Sequence, residues 1–398
     1  MRNVRRGAGC LGLVIAGVAG CGSVSDPPGS GDGGVDGTGM VDDAAPDGPS
    51  SFVPIHVLPE TLKSGAPDLV LTGNPTLINT NALTIDGATH PYFVRQGDYA
   101  ILLANGFSVQ NEVKVTGSSP LIVVAGDQVT VLARIDLNAV GRTPGPGAAA
   151  GNPGGGGEGQ SVLLMERASS GGGGASHGTF GAPGGTFSAS MIPAGTGGTR
   201  YGTLITDPLV GGSRGGNGGF GGGNVGAGGA GGGALQISSA VSISVGSAGR
   251  IEAGGGGGAG GGGGFVGGGG GGSGGEILLE APSIVIAGRL VANGGGGGGG
   301  GAGCGGCATT GMDGGDGIGF TTPAPGGVGG IPQGSAGGAG AAGAGTFSEA
   351  QAGDGFNSKG GGGGGGAGRI WLRHRAATAP DLAGAVISPP AGLDPTLP

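Results

Sequence analysis

Residues 274–295 read Gly-Gly-Glu-Ile-Leu-Leu-Glu-Ala-Pro-Ser-Ile-Val-Ile-Ala-Gly-Arg-Leu-Val-Ala-Asn-Gly-Gly. Three apolar pieces lie within it, Ile277-Leu278-Leu279, Ile284-Val285-Ile286 and Leu290-Val291, separated by Ala-Pro-Ser and Ala-Gly. Short runs rich in aliphatic and β-branched residues, set off by turn formers, predict strands. The unit recurs in the chain. Leu121-Ile122-Val123-Val124, Val129-Thr130-Val131 and Arg134-Ile135-Asp136-Leu137-Asn138 match it at a shift of 155 residues. That shift sets Ile122 on Ile277, Val129 on Ile284, Val131 on Ile286 and Arg134-Ile135 on Arg289-Leu290. A looser copy runs Leu235-Gln236-Ile237, Val241-Ser242-Ile243-Ser244-Val245 and Arg250-Ile251, and a truncated one begins Gly368-Arg369-Ile370-Trp371-Leu372. Apolar residues alternate with small or polar ones, the period of a half-buried strand. Strands returning about every six or seven residues suit a β-solenoid, in which each strand pairs with its equivalent one turn on. The expected fold is all-β: a parallel β-helix or β-solenoid, with a β-sandwich bearing polyglycine insertions as the alternative.

Further strand signals precede the repeat. Tyr99-Ala100-Ile101-Leu102-Leu103, Phe107-Ser108-Val109 and Glu112-Val113-Lys114-Val115 are broken by Asn-Gly and Thr-Gly. Between the repeat units lie the glycine excursions: eight unbroken glycines at 294–301, seven at 360–366 and six at 267–272. With 115 glycines and 25 prolines, composition alone points to a low-complexity, disordered chain. Strands on either side would pin each excursion, however. Polyglycine can also form an extended helix of three residues per turn, without internal hydrogen bonds. Lacking side chains, such helices can lie close together and pair their N–H and C=O groups with neighbours. The excursions are therefore either disordered or a polyglycine II-like packed array. The organisation expected is a leader at 1–20, an acidic tether at 21–51, a β-rich part at 52–141, a glycine-rich β-repeat region at 142–376 and a Pro/Ala-rich tail at 377–398.

The leader carries Arg2, Arg5 and Arg6, then an uncharged stretch from Gly7 to Gly20 that is short of the roughly 20 residues a membrane span needs. A basic head, a short apolar core and a small-residue exit make a secretory signal. The exit Val18-Ala19-Gly20-Cys21 resembles the lipobox of bacterial lipoprotein signals. That resemblance implies a diacylglycerol on the Cys21 thiol, and Gly22 after it implies release toward the outer membrane or cell surface. Several acyl chains anchor where one does not, each buried CH₂ contributing roughly 0.8 kcal/mol. The tether holds Asp26, Asp32, Asp36, Asp42, Asp43 and Asp47 and no base, so it should stay extended. Without the leader, 14 basic residues face 25 acidic ones, a formal charge of −11. With three lysines and few aromatics, this is no nucleic-acid partner.

The lipobox, the acidic tether, the unit at 274–295 and the closing Gly-Gly-Ala-Gly-Arg-Ile-Trp-Leu-Arg together resemble the glycine-rich surface lipoproteins of myxobacterial type, often labelled PE-PGRS-like although no PE module is present here. The likeness spans roughly residues 95–375. It implies a structural or adhesive role at the cell surface, with a glycan or cell-surface partner, and carries no catalytic residues to transfer.

Candidate chemistry is sparse. Cys304-Gly305-Gly306-Cys307 sits in an exported chain, where a disulfide is the first expectation. Three residues of a polyglycine helix advance about 9 Å, beyond the roughly 7 Å that a disulfide bridges, so the pair needs a turn at Gly305-Gly306. Zinc would need a second ligand pair. Asp313-Gly314-Gly315-Asp316 is a single copy of a pattern that binds calcium only when stacked, and reads as a solvated turn. His56, His90, His177 and His374 are scattered, and His374 between Arg373 and Arg375 reads as an exposed strand face. Glu276 and Glu280 share one face of a strand, as the acids of a polysaccharide lyase or glycosidase would. The corresponding positions of the other units read as Val, Ser or Gly, which argues against that enzyme. Lys359 precedes its glycine run, so no phosphate loop forms. The expectation is a non-enzymatic surface protein with no cofactor and no metal. The alternatives are a carbohydrate-active β-helix enzyme and an ice- or surface-binding glycine-rich protein.

Overall fold

The computed structural model describes residues 52–162, 168–187, 192–202, 208–220, 224–303, 308–318, 322–332, 334–343, 348–355 and 359–398. Cys21, Cys304 and Cys307 lie outside the described residues. Among those described, the chain is strand-rich, with one three-residue 3-10 turn at Pro59–Thr61.

The repeat units become triplets of strands that visit three sheets in fixed order. Leu121–Ala125 joins the first sheet, Val129–Val131 the second and Arg134–Asp136 the third. The same order holds for Tyr99–Ala104, Phe107–Val109 and Val113–Thr116, for Ala234–Ser239, Ser242–Val245 and Arg250–Glu252, and for Glu276–Glu280, Ser283–Ile286 and Arg289–Val291. Successive triplets pair in parallel at every level. In the first sheet Leu121, Leu235, Ile277 and Ile370 occupy one ladder position. Val129, Ile243 and Ile284 do so in the second sheet, and Ile135, Ile251 and Leu290 in the third. These aliphatic stacks form one buried core, each side chain contributing roughly 1.5–3 kcal/mol through removal from water. The arginine ladder Arg134–Arg250–Arg289 runs beside it. Arg134 is neutralised there by Glu252 at 2.7 Å and by Asp136 and Glu112, each at 3.3 Å.

The 155-residue match holds in the second and third sheets and fails by one residue in the first. Leu121, not Ile122, stands over Ile277, and Ile122 lies level with Leu278 on the opposite face. The corner between Val124 and Val129 is one residue longer than its counterpart between Glu280 and Ile284. A one-residue slip exchanges the faces of a strand. The expected tail at 377–398 also proves to be folded. Val386–Ser388 pairs with Arg289–Val291, and Gly392–Leu397 pairs with Arg369–Arg375. Pro395 is accommodated because Gly392–Leu397 is the edge strand of the first sheet, where one face of the ladder has no partner to serve.

The three long excursions, 137–233, 253–275 and 292–368, each leave after a third-sheet strand and return before a first-sheet strand. They stack beside that corner, and the glycines of runs 171–174, 267–275, 294–301 and 360–366 are buried. Run 267–275 shows the bonding rule. Gly268, Gly271 and Gly274 donate to Gly360, Gly363 and Gly366, whereas Gly269, Gly272 and Gly275 donate to Ala259, Gly256 and Ala253. Gly267, Gly270 and Ser273 donate to Gly219, Gly216 and Ser213. Its carbonyls accept from three further runs, through Gly172 and Ala175, Gly229 and Gly232, and Gly295 and Gly298. The bonding partner thus changes with every residue and returns at every third. Run 294–301 follows the same cycle, donating to 335–341, 266–272 and 312–315. No residue from Gly294 to Gly301 has a φ in the left-handed region. A Cβ at almost any of these glycines would meet a neighbouring carbonyl well inside van der Waals contact.

Candidate functional site

The outward face of the first sheet changes character along its length. Ile101, Leu103, Ile122, Val124 and Ala234 point away from the core and are covered by Val57, Leu62 and Ala66 of the entering chain and by Leu209. Further along, the same face carries Gln236 and Ser238, then Glu276 and Glu280, then Arg369, Trp371 and Arg373, and finally Asp394. Register pairs Glu276 with Arg369, Leu278 with Trp371, Glu280 with Arg373, and Arg373 with Asp394. The sequence expectation placed Glu276 and Glu280 on one face correctly. It missed that the following strand sets arginines and the tryptophan beside them, where Val, Ser or Gly were anticipated.

Glu280 is fully buried and fully engaged. It accepts from Gln236 Nε2 at 2.6 Å, Ser238 Oγ at 2.7 Å, Arg373 Nη1 at 2.9 Å and Ile55 N at 3.3 Å. Gln236 Nε2 also donates to Ile55 O, and its Oε1 lies 2.8 Å from His56 Nδ1. This network fastens the first described residues of the chain to the sheet.

Glu276 is sealed in a second cluster with His177 and Tyr201, both supplied by the first excursion. His177 Nδ1 donates to Gly274 O at 3.0 Å, so the neutral ring leaves Nε2 unprotonated, 3.9 Å from Glu276 Oε2. The imidazole stacks on Tyr201 with centroids 4.7 Å apart. Glu276 Oε2 accepts from Val210 N at 3.1 Å. Burial pushes the Glu276 carboxyl up to about 8 and holds the His177 imidazole down at about 4. Both groups are therefore neutral at pH 7.

Their linkage to stability has opposite signs. The native Glu276 keeps its proton to about pH 8, whereas the unfolded carboxyl loses it near 4.5. Its contribution is complete below about pH 4.5 and drains away as pH rises through 8. His177 contributes fully above about 6.5 and loses that contribution as pH falls toward 4. Glu276→Gln keeps the bond from Val210 and removes the ionisation. In denaturant titrations the variant should gain on the parent as pH rises from 5 to 9, by roughly 1.4 kcal/mol per pH unit over the middle of that range. A pH-independent difference would show that Glu276 is already charged in the native state.

An open cleft of about 600 Å³ lies beside this cluster. Its walls include Trp371 and Arg369 of the first sheet, Arg200 and Thr179 of the first excursion, and Pro389 and Pro390. Arg369 Nη2 donates to the carbonyls of Tyr201 (2.5 Å) and Gly202 (3.1 Å). The guanidinium carbon of exposed Arg200 sits 4.6 Å from the centroid of the Phe180 ring. The Arg-x-Trp-x-Arg alternation at 369–373 was the available signal for this face; Arg200 comes from too far along the chain to be associated with it.

The remaining sequence candidates serve the framework. His374 is buried, contrary to its reading as an exposed residue, because it follows Ile370 and Leu372 on the inward phase of the strand. Its Nδ1 lies 2.8 Å from Arg375 O. His90 packs near Tyr92, with ring centroids 6.1 Å apart. Asp313, which is exposed, and half-buried Asp316 both accept from the backbone of other runs. Asp316 Oδ1 accepts from Gly141 N and Gly257 N at 2.8 and 2.7 Å, and Asp313 Oδ1 from Gly260 N at 2.8 Å. Lys359 Nζ lies 4.1 Å from the centroid of the Phe265 ring, and burial lowers its pKa. Among the described residues no group of three or more His, Cys, Asp or Glu could hold a metal ion, and no helix is long and apolar enough to cross a membrane. Comparison with protein-family models, curated proteins and solved structures returns no match.

Proposed function

We propose that this chain is a membrane-anchored, cell-surface structural or adhesive lipoprotein without catalytic activity, built as a β-solenoid that carries a polyglycine II-type array. The observation that carries this reading is the use made of the backbone in the excursions: in run 267–275 the N–H groups pair with three surrounding runs and the carbonyls with three more, instead of being left to solvent. A partner that recurs every third residue matches a helix of three residues per turn. Parallel registers between successive triplets favour the solenoid over a sandwich, whose sheets are antiparallel. The anchor rests on the leader, Cys21 and the acidic tether.

The alternative of a carbohydrate-active enzyme finds support in Glu276, a carboxyl whose proton is retained to about pH 8 as a general acid requires. Against it stands access: Glu276 and His177 are 1% and 0% exposed, closed off from any substrate in the cleft.

Cys21→Ser tests the proposal. The parent should incorporate labelled fatty acid and sediment with membranes, while the variant loses both and keeps the parent's thermal unfolding profile. A variant that stays in the membrane fraction would overturn the anchor.

A further inference from the structure

We propose that Arg250 and Arg289, neighbours on the outward face of the third sheet, form a binding site for a phosphate monoester. The site rests on the cell-surface reading for its setting and adds the chemistry of a ligand to it.

The ladder register sets Arg250 directly beside Arg289, on parallel strands about 4.7–4.9 Å apart. Ile251 and Leu290 follow them into the core, so both guanidinium groups stand on the solvent side, and both residues are exposed. Like charges directly opposite one another on neighbouring strands destabilise a sheet. On the next rung Arg134 also faces Arg250, but three acids offset its charge: Glu252 at 2.7 Å, with Glu112 and Asp136 each at 3.3 Å. Among the described residues no acid lies within 4 Å of the Arg250 or Arg289 guanidinium. Glu252 lies two residues beyond Arg250 on the same strand, is 2% exposed, and is held by Arg134 Nε and by Asn138 Nδ2 at 3.2 Å. The far neighbour of Arg289 is the uncharged Val386. Three arginines thus stand in register while the acids gather at one end of the row. Such a departure from a local rule is expected where a ligand completes the pairing.

The pair selects among anions. A carboxylate has two oxygens and one charge, and a single guanidinium satisfies it in a bidentate pair. A phosphate monoester carries about −1.5 to −2 at pH 7 and three acceptor oxygens. It can therefore meet two guanidinium groups at once and offset both charges. A sulfate ester or a phosphate diester is also tetrahedral but brings only one charge. Arginine stays protonated at any working pH and presents parallel N–H groups, which suits it to this recognition. Because both arginines are exposed, a phosphate on a sugar and one on a lipid headgroup have the same access to them. The formal −8 of the chain disfavours a long polyphosphate such as nucleic acid, which would meet repulsion beyond the pair.

Two probes test the site: glucose 6-phosphate, followed by phosphorus NMR and calorimetry, and phosphatidylcholine vesicles containing phosphatidic acid, followed by co-sedimentation. The mature chain with Cys21→Ser serves for both, so that acyl chains do not contribute to vesicle binding. Saturable binding of one phosphate per chain is expected, weakened by added salt. It should be several-fold weaker at pH 5.5 than at pH 7.5, because the monoester loses its second charge near about pH 6. Glucose 6-sulfate, which keeps one charge throughout, should bind more weakly and without that pH dependence. Arg250→Gln and Arg289→Gln, both at exposed positions, should fold as the parent does and each raise Kd five-fold or more. The double variant should add little to either, since one anion bridges the two. Arg142→Gln, at an exposed position in the first excursion, should leave Kd unchanged. In phosphate-free buffer of low ionic strength Arg250→Gln should be no less stable than the parent, since a repulsion has been removed. Glucose 6-phosphate binding without vesicle binding assigns the phosphate to a glycan; vesicle binding that both glutamine variants lose assigns it to a headgroup. Failure of both probes to bind would overturn the site, as would two phosphates per chain, equal affinity for the sulfate, or an unaltered Kd in either glutamine variant. A parent chain that is acylated yet ignores both probes sinks the site and spares the anchor; one that binds phosphate but is never acylated does the reverse.

Discussion

Replacing Gly297 by alanine is expected to destabilise the protein by about 3 kcal/mol or more, a large effect for one methyl group. The added Cβ points at the carbonyls of Gly362 and Gly363, and that run is itself bonded to Gly298 and Gly295. Backbone cannot turn aside as a flexible side chain can. Moving run 360–366 would break its bonds to Gly268 and Gly271 as well. Alanine would narrow the unfolded ensemble and return up to about 1 kcal/mol, which falls short of the clash. Gly126→Ala is the control, since its Cβ would approach Asn105 Oδ1 only to 3.7 Å with φ outside the left-handed region. It should change stability by no more than about 0.5 kcal/mol. Chemical denaturation checks both variants. Amide hydrogen exchange supplies the second reading: the parent should protect Gly268–Gly275 and Gly294–Gly301, and Gly297→Ala should lose protection in run 360–366 too. Free exchange throughout these runs in the parent would refute the packed array.

Glu280→Ala should cost about 3–5 kcal/mol, because several donors around a buried carboxylate lose their acceptor together, each unmet group costing about 1–3 kcal/mol. Arg373 is 16% exposed at its side chain and would retain Asp394 at 3.6 Å as its acidic neighbour. Gln236, Ser238 and Ile55 N would each lose an acceptor. Glu280→Gln keeps the shape but places an NH₂ against donors, so it should recover only part of the loss. Because Ile55 is held through this carboxylate, limited proteolysis near residues 52–58 should accelerate in the alanine variant. An unchanged cleavage rate would show that the entering segment is held by Val57 and its apolar neighbours alone.

The strand triplets were legible because period-two alternation survives in every copy, and Arg134, Arg250 and Arg289 mark the same place in each. The one-residue error at Ile122 arose from a corner whose length differs between copies; a fixed shift cannot absorb an insertion. Val386–Ser388 and Gly392–Leu397 were hidden by prolines that edge position makes tolerable. His374 was misread because the charges of Arg373 and Arg375 outweighed the phase set by Ile370 and Leu372. The cleft was beyond reach for a different reason. Arg200 and Arg369 are separated by most of the glycine region, and no local pattern links residues that meet only when two excursions fold back.

The three-residue cycle of the glycine runs has a consequence for how the chain finds its own alignment. A run displaced by three residues along its neighbours recovers the same geometry, so backbone bonding alone accepts many alignments as equals. The few side chains at the edges remove that degeneracy. Asp316 reaches both Gly141 and Gly257, Asp313 reaches Gly260, and Asn138 Oδ1 accepts from Gly254. Each acts as a stop that fits one displacement and no other. In a region almost without letters, these three residues are the punctuation that tells each line where to begin.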